Sequence, residues 1–347
     1  MRTEIASLGK FGLTSRLTDH IKASNPSTIK GIDDDSAVLD YKEKRILVTS
    51  RLLLEGIHFD LTYVALKLLG YKAATSVFSD IYAMNGHPKQ VTVSIGVSKR
   101  FSVEDLEELY NGIEYACERY GVDIVGGDTT SSLTGLTIGI TCIGEAEKDK
   151  IVYRNNAKSS DLICVSGDLG SAYMGLQLLE REKAIHGDEK DFTPDFAGKE
   201  YLLERQLRPE ARKNVIEMLA KNNILPTSMI DISDGLASEL LHICQQSNVG
   251  CTIYEERIPI DYQTAMMAEQ FNMNLTTVAL NGGDDYELLF TVPLNLHDKI
   301  QELEGIHLIG HIVNSDEGAN LITRDKTQIP LIAQGWTQET TEEDKKK

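Results

Sequence analysis

At 347 residues, with 41% hydrophobic and 25% charged side chains, the chain is long enough for two domains of roughly 100–200 residues and lies far from the composition of disorder. The 53 acidic against 35 basic residues leave a formal charge of −18, which argues against nucleic acid or an anionic membrane as the main partner and calls for a cation beside any phosphate ligand. The five cysteines, Cys117, Cys142, Cys164, Cys244 and Cys251, are odd in number and lack CxxC spacing, so neither a disulfide framework nor a zinc site is expected. Met1-Arg2-Thr3-Glu4-Ile5 lacks the apolar run of a signal peptide and no stretch reaches the ~18–20 apolar residues of a membrane span, which points to a cytoplasmic protein.

In chain order, residues 45–49 (RILVT) read as a short apolar strand and residues 91–97 (VTVSIGV) alternate as a half-buried strand does. Between them Leu66, Leu69, Ala73, Val77, Ile81 and Met84 recur at helical steps, and Gly86 and Pro88 stop that helix. A second helix starts at Ser102, with Asp105 as its capping-box partner, and ends at Gly121. Strand 122–125 leads into what reads as a Gly126-Gly127 turn before Asp128, and strand 136–144 follows. The charged stretch 145–150 reads as a linker, closing a domain at 1–150 and opening a second at 151–340 with strand 161–166. Residues 184–200, with Gly187, Pro194 and Gly198, read as a surface loop. Helices 210–222 and 235–246 and strands at 229–233, 251–254, 287–292 and 307–313 complete an α/β pattern, and 341–347 reads as a disordered tail.

The aspartates gather where elements end. Asp33-Asp34-Asp35 precedes a strand, Asp80 lies in the first long helix, Asp128 follows one Gly-Gly pair and Asp284-Asp285 another, and Asp231 and Asp234 flank Ser233 at a strand-to-helix turn. Each alone is equally an N-cap or an Asx turn. Together they suit Mg²⁺, which takes carboxylates, water and substrate phosphates as oxygen ligands. The chain contains no GxxxxGK[ST] loop and neither the Gly-rich loop nor the HRD motif of protein kinases, so phosphate chemistry here has to use metals and carboxylates.

Five segments in order, Gly56-Ile57-His58-Phe59-Asp60, Ser79-Asp80-Ile81-Tyr82-Ala83-Met84, Gly126-Gly127-Asp128-Thr129, Asp231-Ile232-Ser233-Asp234-Gly235-Leu236 and Gly282-Gly283-Asp284-Asp285-Tyr286-Glu287-Leu288-Leu289, resemble the thiamine-monophosphate kinase family of the aminoimidazole-ribonucleotide-synthetase-like superfamily. The resemblance implies a two-lobed α/β (α+β) fold whose N-terminal domain binds ATP and Mg²⁺ and whose N-terminal sheet forms a homodimer interface. It implies ATP-dependent, in-line phosphorylation of thiamine monophosphate to thiamine diphosphate, assisted by several Mg²⁺ ions. By matching position it makes Asp34, Thr49, Ser50, Asp80, Asp128, Asp231 and Asp234 metal ligands, brings Gly127, Asp128, Arg154 and Ser233 to ATP, and sets His58, Asp284 and Trp336 around the substrate. The acceptor is a phosphate oxygen ionised at neutral pH, so no general base is required. Read without the resemblance, Arg154 is equally a surface ion-pair residue, His58 a structural histidine and Trp336 a packing residue.

The chain departs from the family pattern near the expected metals. Arg51 follows Thr49-Ser50 where the family has an acid, Asp33 replaces a Gly and Lys10 a Glu, Val77 stands where Asn is common, and Asp284 stands for Glu. Exchanging −1 for +1 among bound cations is a large change, since one unit interaction at ~4–6 Å and an effective dielectric of ~20 is worth ~3–4 kcal/mol before screening. Three outcomes follow for Arg51: one Mg²⁺ is lost, the guanidinium holds a phosphate itself, or the chain is a nucleotide-binding pseudoenzyme of the same fold. Related superfamily members act on purine precursors or selenide, but the N-terminal region lacks the reactive Cys that selenophosphate chemistry needs.

Overall fold

The computed structural model describes residues 16–18, 20–30, 38–186 and 196–333. Lys10, Asp33, Asp34, Trp336 and the tail 341–347 lie outside the described residues. Contacts divide the chain into two compact units with boundaries after Val152, Met174 and Asn223. The expected domains, 1–150 and 151–340, differ from this division in one stretch, because residues 175–223 cluster with the first unit.

In the first unit, β1 (Thr28–Lys30) and β2 (Val38–Leu39) form a small antiparallel ladder. The main sheet comprises β3 (Arg45–Leu54), β4 (His87–Val97), β5 (Asp123–Ser131) and β6 (Thr137–Ala146) in the order β3-β6-β4-β5, with only β4 and β5 parallel. One face is buried: Leu47, Val91, Val93, Ile95, Ile138, Ile140 and Cys142 are all under 9% exposed. On the opposite face of β3, Ile46, Val48, Leu52 and Leu54 are 36–66% exposed, so period-2 alternation has put large apolar side chains on both sides of the strand.

Helices α1 (Leu66–Tyr82) and α2 (Val103–Tyr120) form because their apolar positions recur at helical spacing. The capping box of Ser102 and Asp105 starts α2, and Gly121, at φ 71°, ends it. The two helices touch backbone to backbone. A Cβ on Gly70 would stand 2.1 Å from the Leu109 carbonyl oxygen, and one on Gly112 would stand 1.9 Å from that of Lys67. Helices α3 (Ser171–His186), α4 (Glu200–Leu207) and α5 (Lys213–Lys221) follow; α3 and α4 lie where the sequence pattern gave no helix, and Ser171 starts α3 in the second unit. Residues near α5 are tied to the first unit through Glu210, whose carboxylate accepts from Tyr71 Oη (3.0 Å), Tyr120 Oη (2.6 Å) and Arg119 Nε (3.1 Å).

In the second unit, seven strands run in the order β13-β12-β9-β11-β7-β10-β8 among the described residues. They are β7 (Leu162–Ser166), β8 (Ser228–Asp231), β9 (Gly250–Tyr254), β10 (Leu288–Val292), β11 (Ile306–Val313), β12 (Ala319–Ile322) and β13 (Gln328–Pro330). Every residue of β7 and β10 is buried, as an interior strand covered on both faces requires, and so is every residue of β8 at the edge of the sheet. Helix α6 (Leu236–Ser247) places Leu236, Leu240 and Ile243 in the same core as Ile163, Ile230 and Leu289. Helices α7 (Tyr262–Gln270), α8 (Leu275–Asn281) and α9 (His297–Gln301) complete the unit.

Asp123, 3% exposed at the start of β5, accepts from Ser24 N (2.8 Å), Ser24 Oγ (3.0 Å), Asn25 N (3.0 Å) and Thr28 Oγ1 (2.7 Å). Burial works against its charge, but these donors outweigh it and hold the carboxyl below its ordinary range. The stability it contributes is complete above the unfolded value of about 3.9 and is lost as pH falls through the lower folded value. Asp123→Asn should lower stability at pH 7 by about 2 kcal/mol, with a smaller deficit below about pH 4 in urea melts across that range.

Candidate active site

In the first unit, Thr49 and Arg51 sit two residues apart on the helix-covered side of β3 and both reach Asp80 of α1. Thr49 Oγ1 donates to Asp80 Oδ2 at 2.6 Å; Arg51 Nη2 donates to Oδ1 at 2.7 Å, and Nε lies 3.4 Å from Oδ2. Ser50 falls on the other face, where its hydroxyl pairs with Thr141 Oγ1 at 2.9 Å and donates to Ile140 O at 3.3 Å. The sheet therefore brings Thr49 to Asp80 and sends Ser50 away from both.

Asp128 is exposed on the open face of β5, opposite Ser94, and accepts from Thr129 N at 2.9 Å. It lies three strands from β3, about 14 Å at the usual ~4.8 Å spacing. Gly126 and Gly127 form no turn, correcting the sequence expectation. They lie within β5, where the ladder with β4 slips between Val91 and Thr92. A Cβ on Gly127 would stand 1.8 Å from the Val93 carbonyl oxygen, so glycine is needed there for the backbones to approach. His58 lies in a turn just beyond β3, started by Gly56 at φ 79°; it is exposed, and its Nδ1 accepts from Leu54 N at 3.1 Å.

In the second unit, two sequence-distant motifs are laced together by backbone hydrogen bonds. Ile232 N donates to Glu287 O, Tyr286 N to Ile232 O and Asp284 N to Ser233 O, each at 2.8 Å, extending the β8–β10 ladder past its ends. Asp231, Ser233, Asp234 and Asp284 are thereby gathered at one end of the sheet. The lacing bends the chain sharply: Gly283 is at φ 74°, Asp284 at φ 58° and the buried Tyr286 at φ 51°. A bulky side chain in the left-handed region is strained, and strain of this kind persists only where surrounding structure holds it. Tyr286 Oη donates to Asp284 Oδ1 at 3.2 Å, which steadies the one partly exposed carboxylate of the motif. Its neighbours serve the fold. Asp285 accepts from Gly170 N at 3.0 and 3.1 Å, and Glu287 accepts from Ser166 Oγ at 2.5 Å.

Arg154 is exposed, and its carbonyl accepts from Ser247 Oγ at 3.0 Å. Burial lowers the pKa of His242 first, the Arg154 charge lowers it further, and the Asp234 charge opposes both.

Glu239 of α6 was not among the residues singled out from the sequence. It is 2% exposed, and its Oε1 accepts from Asp234 N (2.8 Å) and Ser233 N (3.2 Å), forming the floor of the turn that presents both residues. A signal was present in the sequence: Glu239 interrupts the apolar stripe Leu236, Leu240, Ile243, where a carboxylate needs a polar partner. Burial, together with the charges of Asp234 and Asp231, pushes its pKa up to about 7 against the two backbone donors.

The carboxylates and hydroxyls among these groups are oxygen donors, the chemistry that suits a hard divalent cation. Among the described residues no three His, Cys, Asp or Glu side chains stand ready to hold a metal ion. The mutual repulsion of Asp231, Asp234 and Glu239 fits a cation in the second unit, whereas Asp80 in the first already carries a guanidinium. Among the described residues no helix is long and apolar enough to cross a membrane.

The N-terminal domain model described as AIR synthase related protein matches residues 33–146, and the C-terminal domain model matches residues 158–319. A thiamine-monophosphate kinase of Aquifex aeolicus is 33% identical over 315 residues, 88% of this chain and 96% of that protein. One from Bacillus subtilis is 32% identical over 330 residues, 92% of this chain and 98% of that protein. A solved structure described as AaThiL complexed with AMPPCP and TMP is 31% identical, with a TM-score of 0.72 over 95% of this chain and 96% of that one. The thiamine-monophosphate kinase of Stenotrophomonas maltophilia is 27% identical, with a TM-score of 0.75 over 89% and 94%. The hydrogenase maturation protein HypE in complex with ATP, 19% identical at a TM-score of 0.72, shares the fold.

Because the folded-state pKa of Glu239 is raised, the folded chain holds a proton that the unfolded chain has released, and stability falls as pH rises from about 4.3 to 7. In metal-free buffer, Glu239→Gln should flatten this decline in thermal melts. Glu239→Ala, which strands two N–H donors, should cost about 1–3 kcal/mol at every pH.

Proposed function

The chain belongs to the thiamine-monophosphate kinases of the AIR synthase related family, and from that premise we propose that it transfers the γ-phosphoryl group of ATP directly to the phosphate of thiamine monophosphate, yielding thiamine diphosphate and ADP. The observation that carries the reading is the lacing of Ile232 and Ser233 to residues 284–287, which continues the β8–β10 ladder and assembles an acidic, hydrogen-bonded turn from two of the matched motifs.

The acceptor phosphate is already ionised, so no side chain has to remove a proton, and the work left to the protein is alignment and charge neutralisation. Several Mg²⁺ ions, when bound, supply the positive charge that lets two polyanions approach. Asp231 and Asp234 would hold such an ion in the second unit; of the other matched ligands, Asp34, Thr49, Ser50, Asp80 and Asp128, Thr49 and Asp80 share the helix-covered side of β3 while Ser50 and Asp128 lie on the open face, so they would not form one set. Gly127, Asp128, Arg154 and Ser233 are the positions matched to ATP in the family. His58, Asp284 and Trp336 are the positions matched to the thiamine-phosphate ligand in the family; in the second unit the constrained Asp284 would offer a fixed carboxylate to a cationic group.

The partner is a second copy of this chain, on the open face of the first unit's sheet. The exposed Ile46, Val48, Leu52 and Leu54 form an apolar row along β3, on the face that also carries Ser50 and Asp128. The cytoplasm is the fitting compartment for five buried, unpaired cysteines. A nucleotide-binding relative without turnover is the disfavoured reading, since the likeness to named kinases spans nearly the whole chain.

A coupled assay should detect ADP release that depends on thiamine monophosphate, reduced about 10²–10³-fold in kcat by Asp231→Asn. Release no greater than that of Asp231→Asn at any Mg²⁺ concentration would sink the assignment. Val48→Glu should shift the chain from dimer to monomer in sedimentation; an unchanged coefficient argues against this face as the interface.

A further inference from the structure

Asp80 is already supplied with a positive charge from within the chain. β3 carries Thr49 and Arg51 on one side, and their side chains grip the carboxylate at both oxygens: Thr49 Oγ1 on Oδ2 at 2.6 Å, Arg51 Nη2 on Oδ1 at 2.7 Å, with Nε 3.4 Å from Oδ2. The ion-paired side chains are only 25% and 23% exposed, so water screens the pair less than it does an ordinary surface pair. A planar guanidinium in this forked arrangement is charge-assisted, always protonated and directional. A divalent ion arriving at Asp80 must displace the fork or sit beside its charge.

We infer that Arg51 is the resident cation of Asp80, so that this chain binds fewer divalent ions than its oxygen ligands alone would hold. The inference rests on the kinase reading only for its consequence, which is that charge in this part of the site comes from a side chain and not from dissolved metal. Arg51 is a positioning residue in this account. It holds Asp80 in place and neutralises it, whatever the metal concentration, and Thr49 completes the hold from the neighbouring position on the same strand face.

The experiment counts Mn²⁺ bound to the full-length chain by electron paramagnetic resonance, in the presence of a β,γ-methylene ATP analogue. Thiamine-monophosphate-dependent ADP release is measured in parallel against Mg²⁺ concentration. Arg51→Asp should bind about one Mn²⁺ per chain more than the parent and show a steeper Mg²⁺ dependence. Arg51→Lys, which keeps the charge, should keep the parent count. Arg51→Gln provides the second reading should Arg51→Asp fail to fold, and it should gain the ion with an affinity roughly tenfold above any residual binding in the parent. Equal counts in the parent, Arg51→Asp and Arg51→Gln, or a gain in Arg51→Lys as large as in Arg51→Asp, overturn the inference. If ADP release is absent from every protein while the counts separate as expected, the kinase assignment fails and the role of Arg51 stands.

Discussion

The second unit depends on a short backbone ladder more than on any side chain. Three N–H groups, from Ile232, Asp284 and Tyr286, find their acceptors in the opposing loop, so these donors need neither water nor a ligand. The consequences are local and specific. Gly283 closes to within 2.7 Å, by its missing Cβ, of the Ser233 carbonyl oxygen, and Gly235, at φ 118°, lets the chain turn from strand into α6 beneath it. With the backbone fixed in this way, Asp231, Asp234 and Asp284 are carried at one end of the sheet, and Glu239 accepts from the two N–H groups of the turn.

In the first unit the governing constraint is the two-residue period of a strand. Three adjacent residues, Thr49, Ser50 and Arg51, read in sequence as one cluster, but the pleat deals them alternately to two faces. Thr49 and Arg51 go to Asp80 and Ser50 goes to Thr141. The same rule explains why β3 is apolar on both sides: its inward residues pack under helices held together through Gly70 and Gly112, and its outward row serves the face proposed for the second copy.

What could be read from sequence was what local chemistry decides. The Ser102 and Asp105 box and the Gly121 stop define α2 because both ends are settled within a few residues. The first helix and strand β4 announced themselves by periodicity. The ordered carboxylate motifs pointed to the family. Signals set by distant partners were not legible. Nothing local says that Gly126-Gly127 continues a strand, because the reason is the Val93 backbone beside it. Helix α3 begins at Ser171, after Gly170 donates to Asp285 more than a hundred residues away, and its N-terminus carries no acidic first turn to mark it. Arg51 looked like a missing ligand because sequence shows the charge and not the carboxylate that receives it.

The buried thiols give the two units separate chemical signatures. Cys117 and Cys142 lie in the first, Cys164, Cys244 and Cys251 in the second, and all five are shut away from solvent. Burial pushes the Cys117, Cys142 and Cys164 thiols up, away from the reactive thiolate. An alkylating reagent therefore meets an inert surface until one unit opens, and the position of the adduct reports which unit opened. The native chain carries its own clock for local unfolding, with no label to install.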